Sequence, residues 1–145
     1  MKLFSFGIIS LVLLGGWSNN FEDAKKTAEK EHKLILLSFS GSDWCIPCIQ
    51  MRKEIFDAAD FTEYAQQNLV LVNADFPRLS KNQPSKEDIK RNEKLADKYN
   101  PEGIFPYTLL LNSEGKVLKT WAGYPRVSSE QFIGQLKDSS GENKN

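Results

Sequence analysis

Cys45 and Cys48 are the only cysteines in the chain, with two residues between them, and His32 is its only histidine. That inventory restricts the chemistry. A zinc centre takes about four ligands from Cys, His and carboxylate, so the pair would need acids or a second chain to hold one. A Ser-His-Asp site would have to use His32. Two cysteines cannot build a framework of several disulfides. The pair can then be a redox-active dithiol, a structural disulfide, two inert thiols or a soft-metal thiolate site for an ion such as Cu(I). A structural disulfide over so short a loop constrains the unfolded chain little.

The setting favours the redox reading. Trp44-Cys45-Ile46-Pro47-Cys48 stands where an apolar run ends and a helical pattern begins. At a helix start, unpaired backbone N–H groups and the positive end of the dipole stabilise a thiolate on Cys45. Two intervening residues bring the sulfurs together across one turn. Pro47 falls in the first turn, where its missing N–H costs nothing and its fixed φ suits the helix. Trp44 is a large flat residue able to frame the outer sulfur.

The flanking sequence supplies the elements that hold this segment. Asn19 or Asn20 caps an amphipathic helix to about Glu31. Leu34 to Phe39 is a short apolar run, a strand buried on both faces. Gly41, Ser42 and Asp43 form a loop, and Ile46 to about Ala59 is helical. Asp60 caps a short helix from Phe61 to Gln67, and Leu69 to Ala74 is a second buried strand. Phe76 to Lys90 is a polar excursion with Pro77 and Pro84. Ser85 and Asp88 resemble a capping box that opens a helix to Tyr99, stopped by Asn100-Pro101. Tyr107 to Leu111 and Lys116 to Gly123 form a hairpin about Asn112–Gly115. Ser128 caps a last helix to about Lys137. Strands joined through helices pair in parallel, and the hairpin adds antiparallel strands. The expected fold is α/β, a mixed central β-sheet flanked by helices on both faces.

With 145 residues, 40% of them hydrophobic, one domain with an ordinary core is expected. Nineteen basic residues balance nineteen acidic ones, which gives no electrostatic case for nucleic acid or an anionic membrane. Residues 1–16 run from Lys2 through an apolar stretch to Gly15-Gly16, the order of a secretory signal. The stretch is shorter than the roughly 20 residues that span a bilayer. Cleavage after Gly16 or after Ser18 fits. The expected organisation is a signal over 1–16, a domain over 17–137 and a polar disordered tail over 138–145.

The chain resembles the thioredoxin superfamily from about Phe21 to Lys137. The resemblance is carried by LILLSFSGSDWCIPC, by the strand LVLVNAD ending at Asp75, and by GIFPYTLLLNSEGKVLKTWAGY. It implies a cis peptide bond before Pro106, lying against an active-site disulfide of Cys45 and Cys48, and a rim shaped by Gly123. The sequence also departs from the cytosolic pattern. Ser38 stands where the family has a buried acid, and GSD carries an extra residue before Trp44. The helix after Cys48 lacks a mid-helix proline near Lys53, and the Phe76–Lys90 stretch is additional. These features resemble the secreted branch that includes the thiol domain of D-type transmembrane disulfide reductases.

The resemblance implies thiol–disulfide exchange. Cys45 is the expected nucleophile and Cys48 the resolving thiol, with Trp44, Pro47 and Pro106 completing the site. Neither a cofactor nor a metal is expected. The implied partners are protein disulfide or dithiol clients and a membrane or soluble thiol electron donor, with the chain acting as a monomer in the periplasm or outside the cell. Ile46-Pro47 contains no histidine to favour the thiolate, which argues for a reductant. The rival activities are a disulfide isomerase or oxidase, and a client- or metal-binding module without turnover. Asp43 is expected to be a solvated loop acid or a modulator of Cys45. Asp75 is a secondary candidate for the inner base. Phe105, Tyr107 and Trp121 are candidates for an apolar rim or for the core.

Overall fold

The computed structural model describes residues 16–141. Residues 1–15, which hold nearly all of the expected signal, and 142–145 lie outside the described residues. The elements run α1 (Phe21–Glu31), β1 (Leu34–Ser40), α2 (Ile46–Met51), a π-helical segment (Arg52–Phe56), α3 (Ala59–Asn68) and β2 (Leu69–Asp75). A short 3₁₀ turn (Ser80–Asn82) precedes α4 (Lys86–Tyr99), β3 (Tyr107–Leu111), β4 (Val117–Ala122) and α5 (Ser129–Ser140).

The sheet has the order β2-β1-β3-β4. β1 pairs in parallel with β2 and antiparallel with β3, and β3–β4 is the antiparallel hairpin. The mixed sheet with helices on both faces is therefore as expected. Strands β2 and β3, although joined through α4, do not pair. The chain returns instead on the other side of β1, which puts β1 in the middle.

Alternation along the strands divides the core in two. Ile35, Leu37 and Phe39 of β1 face α1 and α4 with Val72, Ala74, Leu109, Leu111, Leu95 and Tyr99. Leu36, Leu71 and Leu110 face the other way, against Met51, Ile55, Phe56, Phe61, Phe132 and Leu136. β1 feeds both cores, so it has no polar position until Ser38.

The caps explain where the helices start. Asn20, Ser85 and Ser128 each accept a hydrogen bond from a backbone N–H in the first turn. Only Ser128 forms a reciprocal box, with Gln131. The Asp88 side chain turns to Arg91 instead. Three boundaries differ from the sequence expectation. The helix opened at Ile46 passes into π geometry at Arg52–Phe56 and stops at Asp57. α3 begins at Ala59 with Ala58 as its N-cap, so Asp60 lies inside the first turn. α5 continues to Ser140 and closes on Gly141 at φ +85, so residues 138–140 are helical rather than tail. Polar Ser139 and Ser140 are held there by hydroxyl bonds to the Gln135 and Lys137 carbonyls.

Phe132 joins the aromatic cluster of Phe56, Phe61 and Trp121 and is fully buried. Phe132→Ala is expected to lower stability by about 3–5 kcal/mol, read as a shift in the urea midpoint.

Candidate active site

The site is built at the end of β1. The strand ends at Ser40, and the chain turns at Gly41, whose carbonyl accepts from the amides of Trp44 and Cys45 at 3.3 and 2.9 Å. Cys45 then serves as the N-cap of α2, with extended φ/ψ, and its Sγ accepts from the Cys48 N–H at 3.3 Å. Cys45 and Cys48 form a disulfide, with Cα atoms 5.2 Å apart. An amide donated to the Cys45 sulfur favours the thiolate over the thiol when the bond is open. Pro47 sits in the first turn and is exposed, where no backbone donor is lost.

Both cysteines are nearly buried, Cys45 at 4% and Cys48 at 7% exposure. The surface around them is apolar: Ile46, Ile49 and Leu79 stand exposed beside the disulfide loop or on its helix. The Phe105–Pro106 peptide bond is cis, and Pro106 and Cys48 line one cavity of about 250 Å³. The Pro106 carbonyl accepts from the Gly123 N–H at 2.8 Å. Gly123 has φ +84, a conformation that glycine adopts without strain. The tyrosine after it, Tyr124, donates its hydroxyl to Glu54 of the π segment.

Trp44 is held on four sides. Its Nε1–H donates to the Phe76 carbonyl at 2.7 Å, and its ring meets Phe105 edge-on at 5.4 Å. The Arg78 guanidinium lies 3.8 Å above the ring. A Cβ built on Gly41 would come within 2.3 Å of the indole, so glycine there makes room for Trp44.

The Phe76–Lys90 excursion therefore returns to the active-site loop. Asp43 locks it there, accepting from the Arg78 and Leu79 amides at 2.9 Å each and from Asn82 Nδ2 at 3.0 Å. These bonds, the Arg78 amide foremost, hold the Asp43 carboxyl below its ordinary value. Asp43 is a clamp rather than a free loop acid.

The structure brings Cys45, Cys48, Trp44, Pro47 and Pro106 together. It also sorts the rim candidates. Phe105 stands against Trp44 and Phe76. Trp121 belongs to the core on Phe132, its Nε1–H donating to Gln135. Tyr107 packs on Phe39. His32 is exposed and ends α1 in the left-handed conformation. Sequence reasoning missed Arg78 and Trp17. Trp17 packs on Phe56 at 5.0 Å and lines the cavity beside Cys48. Ser18 next to it pairs with β2 at Val72. Neither residue lies in a periodic pattern that would have marked it.

A family model described as thioredoxin-like domain matches residues 21–140. The chain is similar to a Chlamydia pneumoniae protein named disulfide bond reductase DsbH, at 35% identity over 83% of this chain and 70% of that protein. It is 29% identical to the thioredoxin-related protein DsbJ of the same organism, spanning 68% of this chain and 27% of that one. Among solved structures, a DsbH oxidoreductase superposes with a TM-score of 0.77 at 31% identity, covering 86% of this chain and 83% of that one. The DsbD C-terminal domain of Neisseria meningitidis shares the fold, with a TM-score of 0.54 at 18% identity over 81% of this chain and 90% of that one.

The Asp43 clamp makes a pH prediction. Because the folded value is lowered, the contribution of the clamp is present above the ordinary value of 3.8 and disappears as acid protonates Asp43 below it. Asp43→Asn is expected to raise hydrogen exchange at the Arg78 and Leu79 amides several-fold at neutral pH. It also removes the acid-induced rise in exchange at those amides that the unsubstituted protein displays.

Proposed function

The chain belongs to the thioredoxin-like domain family and is a thiol–disulfide oxidoreductase, and from that premise we propose that it runs as a reductase of protein disulfides in the cell envelope. The observation that carries the reading is the Cys45–Cys48 disulfide at the start of α2, with the Cys48 amide on Cys45 Sγ. The name of the relative at 35% identity, a disulfide bond reductase, supports the direction. So does Ile46-Pro47 between the cysteines, which brings no cationic side chain to favour the reduced form.

In this reading the Cys45 thiolate attacks a client disulfide and forms a mixed disulfide. Cys48 then attacks Cys45 Sγ, and the client leaves reduced. Trp44, fixed by Arg78, Phe105 and the Phe76 carbonyl, forms one wall beside Cys45. Pro106 forms the facing wall beside Cys48. Pro47 presets the helical turn that carries both sulfurs. Exposed Ile46, Ile49 and Leu79 give the client an apolar landing surface. A thiol electron donor, in the membrane or soluble, restores the dithiol. Residues 1–16 serve as the export signal, and cleavage after Gly16 keeps Trp17 and Ser18, which the fold uses.

The reduction potential of the Cys45–Cys48 couple tests the direction. Equilibration against dithiothreitol or glutathione buffers is expected to give a value near the roughly −270 mV of thioredoxin. A value near the roughly −120 mV of a strong periplasmic oxidant would overturn the reductase reading. Cys48→Ala is expected to accumulate covalent complexes with client proteins through Cys45. The Cys45→Ser/Cys48→Ala double variant loses them, and undiminished client binding by it would favour a module without turnover.

A further inference from the structure

The sheet face beneath α2 changes character along its length. At Leu36, Leu71 and Leu110 it is apolar and buried. One pleat nearer the disulfide, the same face carries Ser38, flanked in register by Asn73 on β2 and Thr108 on β3. One pleat further, Ser40 stands opposite Asp75. Ser38 and Thr108 are buried, and Thr108 Oγ1 has no hydrogen-bond partner among the described residues. A buried hydroxyl without a protein partner is a place for water.

The cavity of about 250 Å³ lies over this patch, lined by Cys48, Pro106, Ser38, Ser40, Ser42 and Asn73. Its lining is mostly apolar, but Ser38, Ser40, Ser42 and Asn73 give it one polar side, and it is large enough to hold water. Two of its hydroxyls, those of Ser40 and Ser42, reach one carboxylate. The Ser42 N–H and hydroxyl donate to Asp75 at 2.9 and 2.5 Å. The Ser40 hydroxyl lies 2.9 Å from Asn73 Oδ1 and 3.4 Å from Asp75 Oδ1. Asp75 also lines a second, more open cavity of about 490 Å³, which gives it a route to solvent.

Cys48 reacts as a thiolate, and a nearly buried thiol must hand its proton to a nearby acceptor. We propose that Asp75 is that acceptor, reached from Cys48 through water in the cavity and the hydroxyls of Ser40 and Ser42. The inference rests on the exchange reaction above and assigns its proton. Cys48 Sγ–H gives its proton along this path to the Asp75 carboxylate. The Cys48 thiolate attacks Cys45 Sγ, and the Cys45–client S–S bond breaks with its electron pair on the client sulfur. The proton held by Asp75 then passes to the client thiolate through solvent. One disulfide forms, one is broken, and no further reactant is consumed.

Other charged groups face the two cavities. Arg52, Lys53 and Asp57 line the first from the segment after α2, and all three are exposed. Asp57 is 3.8 Å from Arg52. Arg52 and Asp88 also line the second cavity, and Asp88 is held by Arg91. Asp43 is engaged by the excursion. Asp75 alone among these carboxylates accepts from a hydroxyl of the Cys48 cavity.

Stopped-flow reaction of the reduced protein with 5,5′-dithiobis(2-nitrobenzoate) separates the steps. The first release of chromophore reports attack by Cys45, and the second reports resolution by Cys48. Asp75→Asn, whose amide oxygen can still accept from Ser42, is expected to slow the second phase about tenfold or more near neutral pH and the first far less. The deficit should close at alkaline pH, as Cys48 ionises directly into solvent. Asp75→Glu should recover much of the rate. Ser42→Ala, which keeps the carboxylate, should give an intermediate loss with the same alkaline recovery. A second phase unaltered in rate and pH profile by Asp75→Asn would overturn the proposal. So would equal slowing of both phases, which marks a positioning effect on the loop, or transfer of the pH effect to Asp57→Asn. Failure of the unsubstituted protein to release the second chromophore would instead overturn the exchange reading itself.

Discussion

One sulfur atom sets the geometry of this molecule. Cys45 Sγ caps α2 by accepting the Cys48 N–H and is also the atom bonded to Cys48. A cap needs extended backbone at Cys45 and helical backbone immediately after it. The chain must therefore leave β1, reverse, and start a helix within five residues. Gly41 makes this possible twice over: its carbonyl ties back the Trp44 and Cys45 amides, and its missing side chain leaves room for the indole. A bulkier residue there would move Trp44 and, with it, the wall beside the sulfur.

The helix that carries the pair is regular only through its first turn and a half. From Arg52 it takes π geometry, with Ile55 and Phe56 still buried against the sheet. A π turn widens the helix and rotates the residues after it. Here it lets Met51, Ile55 and Phe56 all reach one core, while Glu54 stays outside to accept from Tyr124. The family's kinking proline is absent, and the regular α-helix gives way to π geometry here instead. The cavity beside Cys48 is walled on this side by Met51, Arg52 and Phe56.

What was legible in the sequence was local. Asn20, Ser85 and Ser128 announce helices because a cap is a contact over three residues. The apolar run of Leu34–Phe39 and the Cys45–Cys48 spacing are equally short-range, and Pro106 is marked by the family resemblance. The misses are contacts between distant residues. Asp43 and Arg78 are separated by 35 positions, and Ser42 and Asp75 by 33. Neither pair has a periodicity to betray it. The π segment was hidden because Ile49, Arg52, Ile55 and Phe56 suit an α-helix as well. The excursion after β2 reads as exposed by composition, and it is, yet its backbone amides are committed to the active-site loop.

Those two distant contacts share a logic. Asp75, at the end of β2, grips the loop at Ser42. Asp43, in the loop, grips the excursion that follows β2 at Arg78 and Leu79. The two acids thus tie the same two segments in opposite senses. The grip at Ser42 faces the cavity side of Cys48, and the grip at Arg78 faces the Trp44 side of Cys45. A loop held only at its outer edge could still swing about β1, and one held only at its inner edge would leave Trp44 unsupported. With both in place, the sulfurs are held relative to Pro106, whose carbonyl accepts from the amide of Gly123, the residue after β4. Exchange between sulfurs requires a near-linear approach of three atoms, and positional precision of this kind lowers its entropic barrier. The residues added to this chain after β2 therefore do structural work at the site itself.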